Sequence, residues 1–281
     1  MSIVLAVFAA CAFGTGDFLG GFASRRLKPT IVTTMAQTVG LVTASLAVLV
    51  FPGDGPTGHA LLWGGIGGIG AGGGTVALYH GLSVGRMSVV ATLSGVLVAV
   101  LPVLVGLAQG DSLTLMACVG IGVAIPAIVL VSWHPESNES EAGSGAVWGL
   151  LGGCGFALLF ISLAQAGTGS GAWPLVSGQV VSVLVLLPAA LRMLTAGHAE
   201  ISRSTGLVIL SSGVLAGLAS LAFLGAAGEG QLAVVAVLTA LYPGITVFWA
   251  RIVLHEHWNR AQSIGLLAAF AAVVLVSLGS S

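Results

Sequence analysis

The stretch MSVVATLSGVLVAVLPVLVGLAQG, residues 87–110, holds no Asp, Glu, Lys or Arg. An apolar segment of about 20 residues matches the hydrocarbon core of a bilayer. In lipid every backbone N–H and C=O must be satisfied within its own segment, so helix is the expected conformation. Residues 29–53, 204–228, 230–250 and 261–281 are likewise free of charge. Residues 142–191 are long enough for two spans, broken by Gly167-Thr-Gly-Ser-Gly-Ala-Trp-Pro174. The alternating polarity of membrane β-strands is absent. The pattern predicts an all-α integral membrane protein with ten spans, at roughly 2–22, 30–51, 60–82, 86–107, 113–133, 146–166, 173–193, 205–226, 231–252 and 261–279.

Composition agrees with that reading. Hydrophobic residues make up 57% of the 281-residue chain and charged residues 6%, against roughly 25% charged in soluble domains. Mean hydropathy is +1.10. A net charge of −1 offers no basic surface for nucleic acid. The first apolar run lacks a basic leader and reads as a first helix, not a cleaved signal. Cys11, Cys118 and Cys154 lie inside apolar segments without metal-ligand spacing, and read as small buried hydrophobes. No cofactor motif is present. Gly64-Gly-Ile-Gly-Gly-Ile-Gly-Ala-Gly-Gly-Gly74 would make a poor helix in water, but in lipid small residues let helices approach closely. A phosphate-cradling loop would need a preceding strand and a following Lys, and neither is there.

The longest polar joint is His134-Pro-Glu-Ser-Asn-Glu-Ser-Glu-Ala-Gly-Ser-Gly145. It divides the chain into residues 1–134, an acidic linker 135–145, and residues 146–281, each half carrying five spans. The halves are related. Sliding 68–132 onto 213–277, an ungapped offset of 145, gives 16 identities in 65 positions. Gly85-Arg-Met-Ser-Val-Val-Ala-Thr-Leu-Ser94 falls on Gly230-Gln-Leu-Ala-Val-Val-Ala-Val-Leu-Thr239, and Asp111 on Glu256. Cys11-Ala-Phe13 pairs with Cys154-Gly-Phe156, and Gln37 lies opposite Gln179. A repeat with an odd number of spans inserts its second copy upside down. That is the inverted-repeat plan of secondary transporters, with a site between the repeats near the bilayer midplane.

All eight basic residues fall in odd-numbered joints: Arg25, Arg26 and Lys28; Arg86; Arg192 and Arg203; Arg251 and Arg260. The positive-inside rule then puts those joints in the cytoplasm and both termini outside. Trp63, Trp133, Trp148, Trp173 and Trp258 sit near span ends, as an interfacial belt should.

With ten spans in a five-plus-five repeat, two further features stand out. An acid follows span four or nine, and a Gly-led span comes after it: Gly110-Asp111-Ser112-Leu113 with Gly120, and His255-Glu256-His257-Trp258 with Gly265. The arrangement resembles the EamA-type ten-helix transporters of the drug/metabolite transporter superfamily. Phe13-Gly-Thr-Gly-Asp-Phe-Leu-Gly-Gly-Phe-Ala-Ser-Arg-Arg26 and Tyr79-His-Gly-Leu-Ser-Val-Gly-Arg-Met87 are similar to segments of bacterial members. The resemblance covers nearly the whole chain. It implies alternating-access movement of a small metabolite or drug, often outward, across the cell (plasma) membrane, by a monomer or homodimer. It also implies cytoplasmic termini, opposite to the charge pattern.

Several residues could carry such chemistry. Asp17 is the one acid well inside a predicted span; a carboxylate in lipid is expensive and is a functional candidate for that reason. It could take up a proton or bind a cation; alternatively it sits at the interface, paired with Arg25 or Arg26. Gln37 and Gln179 lie mid-span and must find hydrogen bonds, from a solute or from a neighbouring helix. Tyr79 and His80 end span three, either at the cavity or in the interface. Pro102 and Pro243 interrupt spans four and nine and serve as candidate kinks or hinges. Tyr242, Ser94 and Thr239 are candidates for the cavity wall. Glu229 and Glu256 read as water-contacting joint residues. His255-Glu256-His257 lacks the three- or four-residue spacing of a zinc pair, so no metal site is expected. A secondary transporter fits best. A lipid-modifying enzyme would need a Ser, His, Asp or metal-ligand cluster at one depth, and a non-transport assembly subunit would use the polar residues as contacts. An ATP-driven pump would need a nucleotide motif, which the chain lacks.

Overall fold

A computed structural model describes residues 2–108, 114–132, 139–167, 169–195, 201–229, 239, 242–256 and 260–279. Among these the chain is helical throughout: α1 (Ser2–Ala23), α2 (Pro29–Val50), α3 (Gly58–Val84), α4 (Met87–Ala108), α5 (Leu115–Ser132), α6 (Glu139–Ala166), α7 (Trp173–Thr195), α8 (Arg203–Glu229), α9 (Tyr242–Val253) and α10 (Arg260–Gly279). Six of them, α1, α2, α3, α6, α7 and α8, are long and apolar enough to cross a membrane. The protein has the character of a helical membrane protein. Its outer surface fits that solvent, with Leu49, Val4, Leu115 and Leu267 each more than 70% exposed.

Helix starts follow local chemistry. Pro29 opens α2, where its missing N–H costs nothing and its fixed φ suits the first turn. Thr57 caps α3, its Oγ1 accepting from the Ala60 amide at 3.2 Å. Ser202 does the same for α8, accepting from the Thr205 amide at 3.2 Å. The polar joint is shorter than the sequence implied: α6 begins at Glu139, inside the expected linker.

The glycine run of α3 is a packing face. A Cβ on Gly64 would strike Pro174 and Ser177 of α7, one on Gly68 would strike the Gly178 carbonyl, and one on Gly70 or Gly74 would strike Gly155 or Gly152 of α6. Helices α6 and α7 therefore close on α3 at near-backbone distance.

The two halves of the chain interlock. Helix α3 packs on α6 and α7, while α1 and α2 pack on α8. Helix α4 packs on α6, and α9 on α1. Three pairs, α2–α7, α4–α9 and α5–α10, bring together helices of the same rank in each half. A detail repeats too: Gly68 abuts Gly178, and Gly213 abuts the Ala36 carbonyl.

The joints gather at two ends. Leu27, Leu82, Met87 and Leu254, from the joints after α1, α3 and α9 or next to them, share one apolar cluster. At the other end the α2–α3 joint meets the α6–α7 joint. The Asp54 amide donates to the Gly169 carbonyl at 2.8 Å and the Ala172 amide to the Phe51 carbonyl at 3.0 Å. Thr57 Oγ1 and Ser170 Oγ lie 3.3 Å apart.

Not every side chain sits as expected. Cys11, Cys118 and Cys154 are exposed, not buried: they lie on the outer faces of α1, α5 and α6. In lipid an outward thiol is as well solvated as an inward one, so apolarity does not dictate its face. Pro243 is the second described residue of α9, and residues 240 and 241 before it lie outside the described residues. Helix α4 runs unbroken through position 102, and the Pro102 side chain is outside the described residues. Prolines inside helices also occur at Pro126 and Pro188. Asp111, Trp133, His257, Trp258 and the Glu229 side chain are also outside the described residues.

Candidate functional site

Asp17 lies on a stretch of α1 where small residues admit three other helices. A Cβ on Gly14 would meet the Tyr242 carbonyl and Ile245 of α9. One on Gly16 would come within 3.2 Å of the Ser212 carbonyl of α8, and one on Gly20 would enter the Tyr79 ring of α3. Helices α3, α8 and α9 thus reach the α1 backbone around the carboxylate.

Hydroxyls tie this meeting point together. Ser212 Oγ donates to the Gly16 carbonyl at 2.8 Å. Its one proton is thereby committed, so Tyr79 donates across the 3.1 Å contact between its hydroxyl and Ser212 Oγ. Thr246 Oγ1 donates to the Gly14 carbonyl at 2.9 Å, and Trp249 Nε1 to Thr15 Oγ1 at 3.0 Å. The Phe13 and Tyr242 rings meet edge-on with centroids 6.2 Å apart.

Asp17 itself differs from its neighbours. Among the described residues it makes no hydrogen bond and no ion pair, and it remains partly accessible where Tyr79 and Tyr242 are buried. Arg25 and Arg26, its expected interfacial partners, are exposed, and Arg26 lies over the Phe22 ring at 5.8 Å. The carboxylate stands within electrostatic reach of both tyrosine hydroxyls. Seven residues separate Asp17 from Ser24, the first residue beyond α1. At 1.5 Å per residue that is about 10 Å, so the cluster lies well inside that end, displaced toward it from the middle of α1.

Ser94 and Thr239, aligned by the internal offset, are both buried, and each has a hydroxyl without a partner. Ser94 faces Tyr242 closely enough to interact with its hydroxyl, yet no hydrogen bond of good geometry forms. Buried polar atoms are nearly always paired, so such orphans mark a place where polarity serves something besides packing.

The other candidates separate. Tyr79 and His80 are adjacent, but side chains one apart on a helix diverge by about 100°. Tyr79 enters the cluster, whereas His80 packs edge-on against Trp148 of α6 at 4.5 Å. Gln179 sits across the α2–α7 contact, its amide 3.0 Å from where a Gly40 Cβ would be. Its Oε1 is unpaired, and it lines a small crevice with Gly40, Gly217 and Ser220. Gln37 is buried one turn away on α2.

Sequence reading missed Ser212, Thr246, Thr15 and Trp249, which nothing in the apolar pattern distinguishes. Glu256, expected as a water-contacting joint residue, is in the joint and partly accessible, and it also reaches α4: its Oε1 accepts from the Met87 amide at 2.7 Å. Its Oε2 accepts from the Ser88 amide at 3.1 Å and the Ser88 hydroxyl at 2.6 Å. The signal available was its alignment with Asp111. Among the described residues no group of three His, Cys, Asp or Glu could hold a metal ion.

A cleft of about 450 Å³ opens on the opposite side of the α4–α9 seam, lined by Thr92, Gly95, Pro243, Val247, Leu267 and Phe270 among others. Gly95 and Pro243 form the seam; a Cβ on Gly95 would lie 2.5 Å from the Pro243 ring.

The chain matches no protein family and no curated protein sequence. Solved structures do match in fold. One, a crystal structure of a protein, is similar over 98% of this chain and 96% of its own, with a TM-score of 0.62 at 16% identity.

Proposed function

We propose that the protein is a secondary transporter of a small metabolite or drug, built as ten membrane spans in two inverted five-helix repeats and similar to EamA-type transporters. The observation that carries this reading is Asp17. It is partly accessible and, among the described residues, unpaired on a membrane-crossing helix, among helices drawn from both halves. A carboxylate kept in such a place at a cost of several kcal/mol is a functional group by default.

The exchange of contacts supports the repeat. Helix α1 meets α8 as α6 meets α3, and α2 meets α8 as α7 meets α3. The equivalent close approaches at Gly68 and Gly213 follow the same offset. Odd spans per repeat require opposite insertion, so the interface between repeats has pseudo-twofold character across the membrane. In this reading the solute sits against Tyr79, Ser94 and Tyr242, and Asp17 carries the proton that couples its movement to a gradient. Export across the cell membrane is the direction we assign.

Uptake or release of labelled metabolites by proteoliposomes under an imposed proton gradient tests this. Asp17→Asn should abolish gradient-driven flux and leave the protein folded. Intact gradient-driven flux in that variant removes the coupling role.

A further inference from the structure

We infer that Glu256 is the latch of a gate between the Asp17 cluster and the end of the molecule that carries the joints after α1, α3 and α9. The inference rests on the transporter reading for its purpose, but not for its test.

The geometry is that of a clasp between halves. Glu256 belongs to the joint between α9 and α10, and its carboxylate takes three hydrogen bonds from the first two residues of α4. The first four amides of a helix have no partner inside it. A carboxylate on them gains charge-assisted bonds and a favourable position at the positive end of the helix dipole. Ser88 is 2% exposed, so the clasp is closed over. His255 adopts φ +53, a left-handed backbone conformation rare for residues other than glycine. It turns the chain at the end of α9 and directs Glu256 back to α4. Such strain persists where surrounding structure enforces it and is common at switches.

The clasp lies over the cluster. From Ser88 to Ser94 is six residues, about 9 Å along α4. From Ser24 inward to Asp17 is a similar distance, about 10 Å. At that depth α4 and α9 touch through Gly95 and Pro243. The two helices are thus pinned at two levels, a fulcrum beside Tyr242 and a clasp at the mouth. Release of the clasp lets the mouth ends of α4 and α9 part about the fulcrum, uncovering the Tyr242 and Ser94 side of the cluster. Among the described residues, the fastening at the opposite end, between residues 51–57 and 169–172, uses mainly backbone amides and no side-chain charge. The two ends are therefore held by different chemistry, and a change of charge acts on one alone.

The test is side-specific accessibility. A chain with Cys11, Cys118 and Cys154 replaced by Ser and Ser94→Cys introduced is treated with a membrane-impermeant cationic thiosulfonate. The reagent is added from each side in turn, to right-side-out and inverted vesicles. Glu256→Gln keeps the shape of the side chain and removes its charge. We expect labelling from the clasp end to rise about ten-fold, from the other end not at all, and Glu256→Asp to restore part of the protection. Ser88→Ala removes only the 2.6 Å bond and should give a smaller rise of the same sidedness; it stands in should Glu256→Gln fail to fold. Equal rises from both sides mean that Glu256 is merely a structural cap, and unchanged labelling means that it is no latch. Either result overturns the proposal. Flux is read in the unsubstituted protein, which keeps Ser94: flux there with no labelling change removes the latch and keeps the transporter, and a sided labelling change with no flux there does the reverse.

Discussion

Replacing Gly20 by Ala should dismantle the cluster by adding one methyl group. A Cβ at residue 20 would lie under 3.0 Å from Cζ, Oη and Cε2 of Tyr79, where carbon atoms need about 3.5–4.0 Å. The ring is 3% exposed and tethered through its hydroxyl to Ser212, so it must retreat by about an ångström or leave. Overpacking of this kind costs about 1–3 kcal/mol, and losing the Tyr79–Ser212 bond adds about 0.5–1.5 kcal/mol. Together they amount to about 1.5–4.5 kcal/mol, on the order of 5–10 °C in thermal midpoint at a fixed scan rate. Thermal denaturation of the purified protein in detergent, followed by tryptophan fluorescence, measures it. A double-mutant cycle supplies the decisive comparison. In a Tyr79→Ala background the clash is gone, and Gly20→Ala should become neutral or stabilising by up to about 1 kcal/mol, since Ala is the better helix former. Equal destabilisation in both backgrounds would refute the clash with Tyr79.

Other substitutions probe the remaining contacts. Ser212→Ala leaves the buried Tyr79 hydroxyl without its acceptor and should cost about 1–3 kcal/mol; the neighbouring exposed Ser211→Ala should cost nothing measurable in the same melt. Gly53 has φ +57, and a Cβ there would strike the backbone of residues 169–171. Gly53→Ala should therefore cost more than 1 kcal/mol in the same melt and raise protease cleavage within 51–57, whereas Gly58→Ala meets no neighbour, needs no left-handed backbone and should show little new cleavage. Unchanged cleavage in Gly53→Ala would count against the fastening between the two joints.

The expected helices lie close to the observed ones in most places, because hydrophobic length and the need to satisfy backbone polar groups act locally. The glycine face of α3 was legible for the same reason: close helix approach in lipid requires small residues, whatever the partner. What stayed hidden was direction. Helical period says that Tyr79 and His80 point different ways, but not that α1 and α8 would receive one and Trp148 the other. Pro243 reads as a kink in a linear apolar run, but that its ring would meet Gly95 of α4 is not written in that run. The faces of Cys11 and Cys154 were undetermined because lipid and protein interior are equally apolar.

Residue order alone therefore determined solvent and secondary structure, both properties of single segments in a uniform medium. Which hydroxyl meets which carbonyl around Asp17, and that Glu256 closes on the first turn of α4, were decided only when helices far apart in the chain packed at particular angles. No local pattern encodes those angles, since they arise from the summed fit of many small contacts.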